Sequence, residues 1–174
     1  MAEFDPETLL RLLSEHDVQC VIIGGMAGTI HGSPHVTFDL DITPSRDTEN
    51  LVKLARLLVA IDARIRTEGV LGGLPFDRSA EFLANIELLN LSSKFGDLDI
   101  AFLPAGTDGY PDLVRSAVVV EIDGISATVA ALEDVIRSKE AANRDKDRVV
   151  LPSLRAILTQ RQDRSASLDC EPED

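Results

Sequence analysis

The tetrapeptide Asp-Leu-Asp-Ile occurs twice in this chain, at 39–42 and at 97–100. Each copy alternates acid with aliphatic residue, so an extended strand presents both aspartates on one face and the leucine and isoleucine on the other. Phe38 lengthens the apolar face of the first copy and Phe102 that of the second. Carboxylates sharing a strand face repel one another unless a positive group neutralises them. Mg²⁺ suits that task, because it takes oxygen ligands, accepts one or two carboxylates and completes its shell with water and phosphate oxygens. Two such ions can clamp an in-line phosphoryl or nucleotidyl transfer. A half-solvated antiparallel sheet also alternates in this way, and either pair alone fits that plainer reading.

The segments around the two copies read as one α+β domain, a mixed sheet flanked by helices. Asp5 caps a helix that starts at Pro6 and ends near His16, with Leu9, Leu10, Leu12 and Leu13 as its apolar stripe. Val18 to Ile23 is a short β-branched run entering Gly24-Gly25, after which Met26 to His31 suits a short helix. Pro44 is expected to stop the first acidic strand. Leu51, Leu54, Ala55, Leu58 and Ile61 recur at helical spacing between Asp47 and Ile61. Strands are expected at 85–92 and 97–103, forming a hairpin around Lys94-Phe95-Gly96, and at 118–122 and 126–129 around Asp123-Gly124. Leu132, Val135, Ile136 and Lys139 share one helix face, which sets a lysine in an apolar stripe. A last helix is expected from about Asp147 to Gln160, with Pro152 near its first turn. Residues 1–161 are thus read as the domain, and 162–174 as a disordered acidic tail.

Charge narrows the partners. The chain has 174 residues, about one domain's worth, and 17 Lys and Arg against 30 Asp and Glu give a net charge of −13. Such a field repels polyanions and argues against non-specific nucleic-acid binding. Binding an anion then requires a local basic patch, or metal ions held by carboxylates. The stretch from Arg137 to Arg148 is that patch: Arg137, Lys139, Arg144, Lys146 and Arg148 outnumber its three acids. Helix C-termini attract bases for dipole reasons, which accounts for Arg144 and Lys146 but less well for the inward-facing Lys139. Two cysteines, Cys20 in an apolar run and Cys170 in the polar tail, make no disulfide framework, and no apolar run approaches membrane-spanning length. A cytoplasmic protein is expected.

Gly24-Gly25 follows a buried strand and precedes a helix, so its amides can approach a triphosphate closely; a tight turn alone would also account for the pair. His16, His31 and His35 form no metal-ligand spacing with the cysteines, and no nucleophile elbow or P-loop is present.

Taken together, Gly24-Gly25, thirteen intervening residues, Asp39-Leu40-Asp41 and a later acidic strand at Asp99 resemble the signature of the nucleotidyltransferase superfamily related to DNA polymerase β. Residues 132–147 are similar to its small bacterial branch, which includes AbiEii-like and MenT-like toxins of toxin–antitoxin systems. The resemblance spans most of residues 18 to 158. It implies that Asp39, Asp41 and Asp99 bind metal, with two Mg²⁺ ions expected, and that Asp99 also helps activate an acceptor hydroxyl. Asp97 is the alternative third carboxylate; Asp99 is preferred because it lies deeper in its strand. Gly24 and Gly25 would hold the phosphates of a nucleoside triphosphate, with Lys139 and Arg144 contacting them. Relatives usually carry an arginine four residues before the first aspartate. His35 stands there, so His35 or Arg144 would have to take over its phosphate contact.

The chemistry so implied is transfer of a nucleoside monophosphate with departure of pyrophosphate. The acceptor would be the end of a tRNA if the chain is a toxin, and a cognate antitoxin would then be its partner. Two other readings stay open: a non-catalytic, nucleotide-binding or antitoxin-like protein, and an enzyme that modifies a small molecule such as an antibiotic. Intact Asp39, Asp41, Asp99 and Lys139 favour an enzyme.

Overall fold

A computed structural model describes residues 3–168. The chain begins with α1 (Pro6–Glu15), whose first turn is capped by Asp5: its Oδ1 accepts the Thr8 backbone N–H at 3.0 Å, and Pro6 occupies a position that needs no donor. Leu9, Leu10 and Leu13 point into the core. Then come β1 (Cys20–Ile22), α2 (Gly24–Ile30), β2 (Asp39–Pro44), α3 (Thr48–Ala60), β3 (Arg64–Ile65) and α4 (Ala80–Ala84). The second half holds β4 (Leu88–Ser93), β5 (Gly96–Ala101), α5 (Tyr110–Leu113), β6 (Val118–Ile122), β7 (Ile125–Val129), α6 (Leu132–Ala142) and α7 (Asp145–Leu168).

The seven strands form one mixed sheet in the order β3-β4-β5-β2-β1-β7-β6. Its two acidic strands are neighbours: β2 and β5 run parallel, β1 and β7 also run parallel, and the other pairs are antiparallel. Leu40, Ile42, Leu98 and Ile100 have no exposed surface, and they join Leu51, Leu54, Leu57 and Leu58 of α3 in one contiguous core. Burying each such side chain contributes about 1.5–3 kcal/mol before entropy is counted, so the alternating pattern strongly fixes which face is inside. The opposite face of the same strands carries Asp39, Asp41, Asp97 and Asp99.

Both expected hairpins form. Ser93 pairs with Gly96 across Lys94-Phe95, and Asp123 and Gly124 take φ of 49° and 78°, the paired left-handed turn that suits a two-residue connection. Three boundaries differ from the sequence reading. Gly24 and Gly25 are the first two residues of α2 instead of a turn before it. Pro44 ends β2 from within, paired with Cys20. The last helix starts at Asp145 and runs through Leu168, so Pro152 lies in its interior and residues 162–168 are helical where a disordered tail was expected.

The physical reason lies at Arg161, which bonds the His31 carbonyl at 3.0 Å and the His31 Nδ1 at 3.1 Å, while His31 Nε2 donates to Ala130 O at 2.7 Å. That anchor ties the outer half of α7 to the end of α2. The remainder of the expected tail, 169–174, lies outside the described residues. Among the described residues no helix is long and apolar enough to cross a membrane.

Candidate active site

Asp39 and Asp41 sit on β2 at the register positions of Asp97 and Asp99 on β5. One carboxylate oxygen each from Asp39, Asp41 and Asp99 lies within 4.8 Å of the others. Asp97, whose carboxylate shares Arg66 with Asp99, lines a different cavity and is not part of this group. The geometry brings Asp99, and not Asp97, together with Asp39 and Asp41.

Burial of Asp41 pushes its carboxyl up to about 6, and the negative charges of Asp39 and Asp99 push the same way. The Gly25 N–H, 3.4 Å from Asp41 Oδ2, and the charge of Lys146 offset only part of this. Burial also raises Asp99; the Arg66 guanidinium, 2.8 Å from both of its oxygens, opposes the rise and Asp39 adds to it. Asp39 Oδ1 accepts a hydrogen bond from Thr37 Oγ1 at 2.6 Å. An all-oxygen donor set of three crowded carboxylates, one of them held well above its ordinary range, fits Mg²⁺ and lacks the nitrogen or sulfur ligands that zinc favours.

The two glycines serve this cluster directly. A Cβ at Gly24 would lie 2.0 Å from Asp41 Oδ2, and Gly24 has φ of +64°, so a side chain is excluded twice over. A Cβ at Gly25 would come within 2.6 Å of Thr37 Oγ1. Both glycines line the cavity that the acids line, and they also make room for Asp41 and Thr37, with the Gly25 amide facing Asp41.

The acids line a cavity of about 560 Å³ whose far wall comes from α6 and the start of α7. Lys139, Arg144 and Lys146 all line it, as does His35. Asn143, in the left-handed conformation with φ of 49°, ends α6 and turns the chain into α7. Two of the cations converge on one acid that the sequence analysis did not single out. Asp147 has no exposed surface; its Oδ1 is 3.3 Å from Lys139 Nζ, and its Oδ2 accepts from Arg144 Nε at 2.7 Å and from the Arg144 backbone N–H at 3.3 Å. Burial alone would raise this carboxyl, but the Arg144 hydrogen bond and the charges of Lys139 and Arg144 hold it below the usual range.

Arg66 is the second residue missed. It lies 33 positions from Asp99, so no local pattern links them. Asp147 was more accessible to sequence reasoning. It is the third residue of α7, where an acid can accept the N–H of the residue before the helix.

No family model matches this chain, and no curated protein is significantly similar to it in sequence. Solved structures are similar in fold. A candidate nucleotidyltransferase, TM1012 of Thermotoga maritima, superposes with a TM-score of 0.52 at 18% identity, over 91% of this chain and 97% of that one. The antibiotic-resistance factor ANT(2'')-Ia superposes with a TM-score of 0.51 at 16% identity, over 94% of this chain and 92% of its own. The seven-stranded mixed sheet and its flanking helices therefore form a single α+β domain with the nucleotidyltransferase fold.

Proposed function

We propose that this chain is a metal-dependent nucleotidyltransferase that moves a nucleoside monophosphate from a nucleoside triphosphate to an acceptor hydroxyl. The observation that carries this reading is the cavity's polarity: Asp39, Asp41 and Asp99 on the sheet floor, and Lys139, Arg144 and Lys146 on the opposing helical wall. A triphosphate is a polyanion, and the cationic wall is where its charge is tolerated in a chain of net charge −13.

In this mechanism Asp39, Asp41 and Asp99 hold Mg²⁺, which when bound neutralises the acids and stabilises negative charge on the phosphate oxygens. Lys139 and Arg144 bind and orient the phosphates. Asp147 pairs with both cations and aims them. The acceptor oxygen forms its bond to the α-phosphorus as the bond to the bridging oxygen breaks and pyrophosphate leaves. The hydroxyl proton passes to Asp99. Gly24 and Gly25 let the first helical turn approach Asp41 closely enough for the cluster to form.

The acceptor in this reading is the end of a tRNA, with the chain acting as a toxin of the cytoplasm restrained by a cognate antitoxin. That assignment rests on the resemblance of residues 132–147. A small-molecule acceptor is the second reading. Its support is the fold shared with an antibiotic-resistance factor, together with the acidic Glu87 and the uncharged Leu88 and Asn90 in the cavity lining.

The deciding experiment follows label from each α-³²P nucleoside triphosphate, with Mg²⁺, into total RNA, protein and a panel of hydroxylated small molecules. Wild type is compared with Asp41→Asn. Label in tRNA that vanishes in the variant supports the toxin reading, and label in a small molecule supports the second. No transfer to any fraction sinks the enzyme reading.

A further inference from the structure

Arg66 follows β3, where its backbone N–H donates to Asn90 O at 2.8 Å. Its Nη2 lies 2.8 Å from both oxygens of Asp99, and its Nη1 pairs with Asp97 Oδ2. One guanidinium therefore spans both acids of the β5 face. The Asp99 side chain is 14% exposed and that of Arg66 35%, so the contact is only partly screened by water. Asp39 and Asp41 have no such arginine: Asp39 is met by the Thr37 hydroxyl and Asp41 by the Gly25 amide. The three-acid cluster is thus unequal. Two members have no cation in direct contact, Arg144 and Lys146 acting on them only through space, and the third is paired with Arg66.

We propose that Arg66 is a positioning residue that supplies at Asp99 the positive charge a second divalent cation would otherwise supply. This rests on the metal-dependent reading above. The chain then takes one divalent ion readily, through Asp39 and Asp41. It takes a second only by drawing Asp99 away from Arg66 or sharing it. A planar guanidinium with fixed donors suits this role, because it fixes carboxylate orientation as well as charge. Arg66 and Asp97 also line a second cavity, of about 1080 Å³, walled by the glycine-containing loop at 69–73 and the exposed Phe38. Arg66 is therefore the residue through which an occupant of that cavity would reach the catalytic acids. A merely structural arginine would not set the order of metal binding.

The test is a Mn²⁺ titration of the full chain without nucleotide, read by calorimetry and by the loss of free-ion signal in electron paramagnetic resonance. Wild type, Arg66→Gln and Arg66→Lys are compared, with circular dichroism reporting folding. Wild type is expected to show one tighter and one weaker binding step. Arg66→Gln is expected to tighten the weaker step about tenfold. Arg66→Lys keeps a charge but loses the fork, so its weaker step falls between the two, and this arm decides the matter if Arg66→Gln does not fold. An unchanged or weakened second step in the folded variants overturns the proposal and leaves the nucleotidyltransferase reading intact. Absence of Mn²⁺ binding in wild type overturns both.

Discussion

Asp41 and Asp99 occupy the same register step of the parallel β2–β5 pair. Adjacent parallel strands separated by roughly 4.8 Å place such residues side by side, so two carboxylates meet without any loop having to position them. The sheet therefore holds the repulsion between them rigidly, and burial adds to it. Replacing Asp41 by Asn keeps the side-chain shape and removes one charge. Nucleotidyl transfer is expected to fall by about a thousandfold or more, while the metal-free variant melts at or above the wild-type temperature, because a disfavoured charge is gone. Scanning calorimetry beside the transfer assay checks this; a variant that transfers label normally removes Asp41 from the site.

The same repulsion sets a pH dependence. The folded-state carboxyl of Asp41 titrates at about 6, against 3.8 for its ordinary value. Between these values the native chain binds more protons than the unfolded chain, so stability of the metal-free protein falls as pH rises through that window. The expected loss is roughly 1–3 kcal/mol by neutral pH. Mg²⁺ removes the same penalty, so it should raise Tm more near pH 7.5 than near pH 5. Equal shifts at the two pH values would show that the ion does not bind at Asp41.

How much of this was legible beforehand depends on the distance over which each feature is encoded. The strand faces of Asp39, Asp41 and Asp99 were readable, because alternation is local and has period two. The β2–β5 register was not, since parallel pairing over 58 residues leaves no mark in either segment. Lys139 stood out because a lysine in an apolar stripe is anomalous, yet its partner Asp147 did not, because an acid early in a helix is ordinary. Arg66 and the anchor between Arg161 and His31 depend on tertiary contacts across 33 and 130 residues. The helix end was misread for that second reason: the polar sequence beyond Gln160 shows no stripe, and the contact that steadies it lies in α2.

Gly24 offers a test of the close approach between the first turn of α2 and the acids. Alanine there needs a left-handed backbone and brings its Cβ to 2.0 Å from Asp41 Oδ2. The helix start or the carboxylate must move. Gly24→Ala is expected to cost about 1–3 kcal/mol and to weaken Mn²⁺ binding, whereas Gly32→Ala, at a φ of +104° but with open space around it, should lower stability alone. Mn²⁺ titration and thermal melts of the two variants separate these effects. Unaltered Mn²⁺ affinity in Gly24→Ala would mean that Asp41 can shift without consequence.

Asp147 offers the last test, because among the described residues it is the fully buried carboxylate beside the cationic wall. Lys139 is nearly enclosed, with 12% of its side chain exposed, so it relies on this partner, whereas Arg144 is 57% exposed and can turn to water. Asp147→Asn keeps a hydrogen-bond acceptor but removes the charge that compensates Lys139. A loss of about 1–3 kcal/mol is expected at neutral pH, below the cost of a fully buried pair because Arg144 can rehydrate. The sign with pH follows from the lowered carboxyl of Asp147. Its stabilisation is present above the unfolded value near 3.8 and disappears as pH falls through the lower folded value, so the difference between wild type and Asp147→Asn should shrink toward strongly acidic pH. Urea unfolding across that range measures it. If the cations are aimed at phosphates through Asp147, KM for the nucleoside triphosphate rises about tenfold in the folded variant while the Mn²⁺ affinity of the acids stays unchanged. A rise in neither KM nor unfolding sensitivity would show that Lys139 and Arg144 hold their places without Asp147.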